Sequence, residues 1–313
     1  MTTLEIVRPG PLTTVQDLGR EGFGPIGVSA SGAADPIALR IGNRLVGNPE
    51  NTAALEMTLF GDEIQFSSDV VIALSGANLS ATLDSTSLPM YESVPIKARQ
   101  VLKLGPISSG VRSYLCVAGG IAVAPFLGSR STHLLSGLGG RLGRALQRGD
   151  SLPIGGASPS WKRRKIDPER RKQLAPRKIL RVTEGPQWSQ FSESARRLFF
   201  SQPYTVTQDS SRMGIRLQAE PLDGSSTQEM LTEGVSLGAI QITPSGQPIL
   251  LFVDQQTTGG YPKIANVIAA DLASIGQLTP RNEIRFELVT LESARAALLQ
   301  QERLLTSSEL IQE

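Results

Sequence analysis

Glu63-Ile64-Gln65-Phe66-Ser67-Ser68-Asp69-Val70-Val71-Ile72-Ala73-Leu74 sets two short β-rich runs on either side of Ser-Ser-Asp. Such residues fit a pleated, half-buried surface, and Ser and Asp interrupt it. Working outward, the pattern returns at residues 101–104 and 114–117, each run bounded by Gly, Ser or Asp, and short β-rich runs alternate with glycine turns between Gly105 and Ile154. Closely spaced short strands favour a barrel or a sandwich. One helix interrupts them at residues 36–46. Asp35 is its N-cap, Pro36 takes the first helical position, and Ile37, Leu39, Ile41 and Leu45 form its apolar surface.

Residues 156–178 change character: glycine and serine give way to Lys162, Arg163, Arg164, Lys165, Arg170, Arg171 and Lys172, with few apolar residues. Docking on an acidic face or a phosphate is one use of such a run; a solvated linker is the favoured one. Beyond it the plan restarts. Leu180-Arg181-Val182-Thr183-Glu184-Gly185-Pro186 matches Glu5-Ile6-Val7-Arg8-Pro9-Gly10-Pro11, Ser211 to Leu217 is placed like Ser31 to Asp35, and Gln100 to Leu104 matches Asn282 to Phe286. The reading is an internal duplication: one domain at 1–155, the basic linker at 156–178, a second domain at 179–290, and a C-terminal helix and tail at 291–313.

The chain has 313 residues, 40% of them apolar, enough for two cores. Lys plus Arg number 31 against 29 Asp plus Glu, so no nucleic-acid surface is implied. One cysteine, Cys116, sits in a buried-strand pattern and excludes an internal disulfide framework. No signal peptide and no run of ~20 apolar residues is visible, which predicts a cytoplasmic protein with no membrane partner. His133 is the only histidine, so no histidine-rich metal centre is expected, and a hydrogen-bonding role suits it better than a general base.

The strongest functional signal lies where the apolar strand 250–253 gives way to Asp254-Gln255-Gln256-Thr257-Thr258-Gly259-Gly260-Tyr261-Pro262-Lys263-Ile264-Ala265. Two glycines open φ values closed to other residues, Pro262 fixes a turn, and Tyr261 and Lys263 add a phenol and a cation. On this segment alone, a functional loop and a plain hairpin stand level. An echo near the N-terminus favours the functional loop: Gly10-Pro11-Leu12-Thr13-Thr14-Val15-Gln16-Asp17-Leu18-Gly19-Arg20, then Gly27-Val28-Ser29-Ala30-Ser31-Gly32-Ala33-Ala34-Asp35.

With Leu45-Val46-Gly47-Asn48-Pro49-Glu50-Asn51, Ala54-Leu55-Glu56-Met57-Thr58, Gly128-Ser129-Arg130-Ser131-Thr132, Arg212-Met213-Gly214 and Gly238-Ala239-Ile240-Gln241, these segments resemble a carboxyltransferase-like family. That family includes the C subunit of bacterial 5-oxoprolinase, the antagonist of a sporulation kinase inhibitor, and one half of the urea carboxylase carboxyltransferase domain. The resemblance spans residues 6–286 and implies a mainly β chain with a few helices, in two tandem cyclophilin-like β-barrel domains. It implies ATP with Mg2+ in a complex that opens the lactam of 5-oxo-L-proline to L-glutamate. The expected partners are a protein like the B subunit of 5-oxoprolinase, in a heterodimer or heterotetramer, and one like its A subunit. Two alternatives share the cleft or the partner: a carboxyltransferase or allophanate-hydrolase-like subunit of a biotin-dependent urea-type carboxylase, and a non-enzymatic antagonist of a kinase-inhibitor protein.

A lactam carbonyl is a poor electrophile, and phosphorylating its oxygen makes that oxygen a leaving group. The step needs cations for phosphate charge, acceptors for the amide N–H and a water-excluding cleft. Lys263, Tyr261, Gln255 and Asp254 are the expected catalytic residues, and Asp17, Arg20, Ser31, Glu56, Arg130, Arg212, Thr257, Gly259 and Gly260 the expected substrate-binding ones. For each arginine, tying neighbouring loops together stands level with touching a ligand. The cofactor-binding residues are not located: no phosphate-loop motif is present, and Gly137-Leu138-Gly139-Gly140-Arg141-Leu142-Gly143-Arg144 reads as a glycine-rich turn before it reads as an anion nest. No methionine precedes a lysine, so the chain has no biotin attachment site of the usual kind, and any biotin would arrive on another polypeptide.

Overall fold

In Thr3–Arg8 (β1) Leu4 and Ile6 are buried while Glu5 is exposed, the alternation of a strand with one wet face. The computed structural model describes residues 2–156, 162–222 and 230–313, and the chain divides into two units. The first comprises Met1–Arg20, Ser31–Leu174 and Leu304–Glu313, and the second Glu21–Ala30 and Ala175–Arg303. The architecture is mainly β with few helices.

In the first unit β1 is followed by β2 (Thr13–Gln16), α1 (Pro36–Leu45), β3 (Ala54–Thr58), β4 (Glu63–Phe66), β5 (Val70–Leu83), β6 (Thr86–Ser87), β7 (Ser93–Ile96), β8 (Val101–Val117), β9 (Ser151–Pro153), β10 (Lys165–Ile166) and α2 (Pro168–Gln173). A nine-stranded sheet runs β2-β3-β8-β4-β1-β9, with β5 pairing β6, β7 and β8. One core joins Ile6, Leu55, Ile64, Ile72, Leu102 and Leu115. The runs at 101–104 and 114–117 are the two ends of β8. Gly76 and Gly110, at φ 90° and 88°, sit in the long β5–β8 pairing, whose register shifts three times between Gly76 and Ala81. Glycine here allows local bending of a continuous ladder and does not end the strand. Asp35 caps α1 by accepting from the Ala38 N–H at 2.9 Å, and Ile37, Leu39, Ile41 and Leu45 are buried.

The stretch read as a solvated linker carries β10 and α2; its residues 157–161 lie outside the described ones. β10 pairs with β20 (Ile311–Gln312), Ile166 is buried, and Asp167 caps α2 by accepting from the Arg170 N–H at 2.9 Å. The basic side chains meet acids remote in sequence: Arg163 pairs with Glu92, Arg164 and Lys162 with Glu313, and Arg170 with Glu309.

The second unit holds β11 (Ile179–Glu184), α3 (Glu193–Ser201), β12 (Tyr204–Val206), β13 (Gly214–Gln218), β14 (Glu233–Gly234), β15 (Ala239–Ile242), β16 (Pro248–Leu251), β17 (Thr258–Gly259), β18 (Lys263–Val267), α4 (Leu272–Ile275), β19 (Glu283–Leu288) and most of α5 (Leu291–Thr306). Seven of its strands close a barrel in the order β11-β18-β15-β16-β13-β12-β19, and β14 and β17 form a separate ribbon. Phe199 of α3 stacks on Phe286 at 4.8 Å between ring centres, with Tyr204 beside both. The segments matched from sequence as Ser31–Asp35 and Ser211–Leu217 differ in structure: the first leads into α1, the second into β13. No described helix is long and apolar enough to cross a membrane.

Candidate functional site

In the first unit Asp17 follows β2 directly, and its carboxylate is used up. Oδ1 accepts from the Ser129 hydroxyl at 2.5 Å, the Ser131 hydroxyl at 2.6 Å and the Gly19 N–H at 2.8 Å, and Oδ2 accepts from the Arg130 N–H at 2.5 Å. Arg20 donates to the carbonyls of Ser131 and Phe126 and lies over the Phe126 ring. Arg130 donates from Nε to the Val123 carbonyl at 2.9 Å, and the Ser31 hydroxyl donates to the Thr132 carbonyl at 3.1 Å. Asp17, Arg20, Arg130 and Ser31 were expected to touch substrate. Their contacts tie loop 129–132 to the end of β2, with Asp17 as hub.

Glu56 anchors a second buried network. Its Oε2 accepts from the Tyr114 hydroxyl at 2.7 Å and the Ala34 N–H at 2.8 Å, and Arg112 lies 3.6 Å from Oε1. The Tyr114 oxygen in turn accepts from the Asp35 N–H at 2.8 Å, so this carboxylate holds the start of α1 against β3 and β8. Burial, reinforced by the Glu56 charge, drives the Tyr114 hydroxyl well above its ordinary pKa, so it stays a proton donor. His133 is buried and accepts at Nδ1 from the Ser136 N–H at 3.2 Å, a turn-holding contact. In the glycine run 137–144 the N–H groups of Gly137, Leu138, Gly140, Gly143 and Arg144 donate to carbonyls of residues 130–141, the pattern of a closed turn.

In the second unit the predicted loop connects β16 to β18. Arg212 and Asp254 are buried and bidentate, Nε to Oδ2 at 2.7 Å and Nη2 to Oδ1 at 3.2 Å, fixing the loop's first turn. The Gln255 amide, oriented so that both ends are satisfied, donates to the Ser236 carbonyl at 3.0 Å and accepts from the Leu237 N–H at 2.9 Å. The Thr257 carbonyl accepts from the Val235 N–H at 3.1 Å, and Glu233 faces Gly259 across the β14–β17 ribbon. Neither Gly259 nor Gly260 has a positive φ, contrary to the expectation for this loop. A Cβ at Gly259 would lie 2.6 Å from Gln241 Nε2 and 3.2 Å from Val235, so a side chain would have to shift to admit it, whereas among the described residues nothing lies within 3.4 Å of such an atom at Gly260.

Tyr261 is 42% exposed, but Lys263, two residues on, has a side chain only 3% exposed. A register shift in the β15–β18 ladder places Lys263 opposite Gln241, which is also buried. Bulges re-aim side chains in this way. Gln187, from the turn after β11, clamps Lys263 by its main chain: its N–H donates to the Lys263 carbonyl at 3.2 Å and its Oε1 accepts from the Lys263 N–H at 3.0 Å. The Lys263 ammonium forms an ion pair with Glu233 Oε1, and no other acceptor is aimed at it among the described residues. Gln187 Nε2 donates to the same Oε1 at 2.8 Å. Lys263 and then Gln187 hold the Glu233 carboxyl below the usual carboxylate range. Glu233, Gln187 and Gln241 are the residues sequence reasoning missed. Gln241 closes the quoted Gly238-Ala239-Ile240-Gln241 run, while nothing local marks the other two.

The arrangement supplies one desolvated cation beside amide groups at the end of a barrel strand, a setting in which charge interactions exceed their strength in water. Among the described residues no cluster of three or more His, Cys, Asp or Glu is placed to hold a metal.

Residues 26–288 match the family model described as carboxyltransferase domain, subdomain A and B. The chain is 43% identical over 300 residues to the C subunit of 5-oxoprolinase from Escherichia coli strain K12, covering 96% of each. It is 35% identical to the urea amidolyase of Saccharomyces cerevisiae over 94% of this chain but 17% of that protein. The crystal structure of the K. lactis urea amidolyase superimposes with a TM-score of 0.89 at 32% identity, over 99% of this chain and 21% of that one.

Proposed function

The chain belongs to the carboxyltransferase-domain family, subdomains A and B, and from that premise we propose that it is the C subunit of a 5-oxoprolinase, a component of an enzyme complex acting on 5-oxo-L-proline. The supporting observation is the end-to-end match: 96% of this chain against 96% of a protein bearing that name, at 43% identity. In this reading Lys263 supplies the positive charge that meets the anionic part of the ligand, with Gln241 beside it. Arg212, Asp254 and Gln255 fix the loop that carries Tyr261 past it. Asp17, Arg20, Ser31, Arg130 and Glu56 shape the first unit's loops through bonds within the protein. The complex has a B-type and an A-type partner, works in the cytoplasm, and spends ATP with Mg2+ to activate the lactam.

A second reading, carboxyl transfer to a urea-type substrate, is favoured by the likeness to the urea amidolyase structure over 99% of this chain. The two separate in one experiment. The chain, purified with its B-type and A-type partners, is given 5-oxo-L-proline and ATP, and glutamate is measured; a parallel reaction supplies urea and a biotinylated carrier. Glutamate formation that requires this chain supports the first reading. Urea carboxylation without glutamate would replace it by the second.

A further inference from the structure

The Glu233 carboxylate occupies a position where two donors of the barrel converge. Gln187 Nε2 donates to its Oε1 and Lys263 Nζ is in ion-pair contact with the same oxygen, yet the partners differ sharply in environment: the Lys263 side chain is 3% exposed and that of Glu233 45%. A buried ammonium cannot move to solvent and costs a great deal without a counter-charge. A half-exposed carboxylate on a two-residue ribbon strand can leave, because water takes up its charge as its χ angles change. The ribbon's backbone bonds to Gly259 and Thr258 do not involve the side chain, so departure leaves the fold intact.

We propose that Lys263 and Gln187 form a carboxylate-binding site, that Glu233 fills it as an internal stand-in, and that the carboxylate of the incoming substrate displaces Glu233. This rests on the reading of the protein as acting on 5-oxo-L-proline, a small lactam with one carboxylate, and assigns that group its place. The fixed donors are already paired around a carboxylate oxygen, so an external carboxylate inherits a formed site. The Glu233 carboxyl, held below the usual carboxylate range by Lys263 and Gln187, stays ionised and keeps the site closed at neutral pH. A site open only a fraction of the time binds more weakly by that fraction. If Glu233 holds it ~90–99% of the time, removing its charge tightens carboxylate binding ~10–100-fold.

The test is calorimetric titration of the full chain, wild type and Glu233→Gln, with 5-oxo-L-proline, its neutral carboxamide and propionate; Glu233→Ser serves as a second variant, and thermal unfolding checks that each is folded. The expected result is at least ~10-fold tighter binding of both carboxylates to the variants, no change for the carboxamide, and loss of the gain when Gln187→Leu is added. Unchanged or weaker carboxylate binding in folded Glu233 variants, or none detectable, overturns the proposal. Tighter propionate binding without tighter 5-oxo-L-proline binding would keep the carboxylate site and remove 5-oxo-L-proline as its ligand. Equal binding of 5-oxo-L-proline to wild type and variants would keep the substrate and remove the displacement.

Discussion

Asp254→Ala removes both hydrogen bonds that the Arg212 guanidinium makes to that carboxylate, at 2.7 and 3.2 Å, in a setting where the two side chains are 7% and 5% exposed. Breaking a buried ion pair from one side costs about 3–5 kcal/mol, because the remaining charge keeps its desolvation penalty and loses this counter-charge. Arg212→Met removes the opposing charge and costs a similar amount. Removing both charges together removes both penalties, so the double variant should lose about 2 kcal/mol where the singles summed would lose about 8. At roughly 2–4 °C per kcal/mol, each single lowers the melting temperature by roughly 6–20 °C and the double by roughly 4–8 °C. Calorimetry on wild type, both singles and the double closes the cycle. Additive losses would show that the two side chains do not act as a buried pair, and singles within about 2 °C of wild type would show that the site is solvated.

Three further outcomes are expected. Lys263→Ala should lower turnover of the reconstituted complex at least ~30-fold while leaving assembly intact, since a charge-assisted contact in a desolvated site carries about 2–4 kcal/mol; wild-type kinetics would move the site elsewhere. Burial raises the Asp62 carboxyl above its ordinary value against the bond it accepts from the Gly10 N–H. The folded chain therefore holds that proton more tightly than the unfolded one, and the stability Asp62 contributes in acid is lost as pH rises through the raised value. Asp62→Asn should then be the more stable protein at neutral pH, with the gap closing in acid; denaturation curves that differ equally at all pH values would contradict this. Burial also pushes the Cys116 thiol far up, so native protein should resist a disulfide reagent that labels it fully once denatured, and fast native labelling would show an opening of the strand pair around it.

What the sequence disclosed was what neighbours in sequence decide. Residues 63–66 form β4 without adjustment, and α1 runs from Pro36 to Leu45 with Asp35 as its cap, because alternation and capping are local chemistry. The long β5–β8 ladder is harder to see: Gly110 falls among the glycines that read as turns, and only the facing strand decides that a glycine bends a ladder without ending it. The same limit applies to the sites. Asp17 stood out as a conspicuous acid in a polar motif, but Ser129 and Ser131, which occupy it, are 112 and 114 residues away. Lys263 was visible on its loop, whereas Glu233 reaches it through a ribbon pairing and Gln187 through a turn 76 residues earlier. The basic run after residue 161 has few apolar residues and so reads as solvated; the partners of Lys162, Arg163, Arg164 and Arg170, which are Glu92, Glu309 and Glu313, lie elsewhere in the chain.

The pairing of β10 with β20 has a consequence for synthesis on the ribosome. Leu304–Glu313 belong to the first unit but are made after Ala175–Arg303. At ~5–20 residues per second, translating the intervening segment takes roughly 6–26 s, during which β10 has its contacts to residues 91–93 but not β20, and Arg164 and Arg170 await Glu313 and Glu309. The nascent first unit thus waits with an open edge and uncompensated cations while the barrel behind it emerges and folds. A chain cut at residue 174 would stay in that waiting state, and supplying residues 304–313 as a separate peptide should complete it.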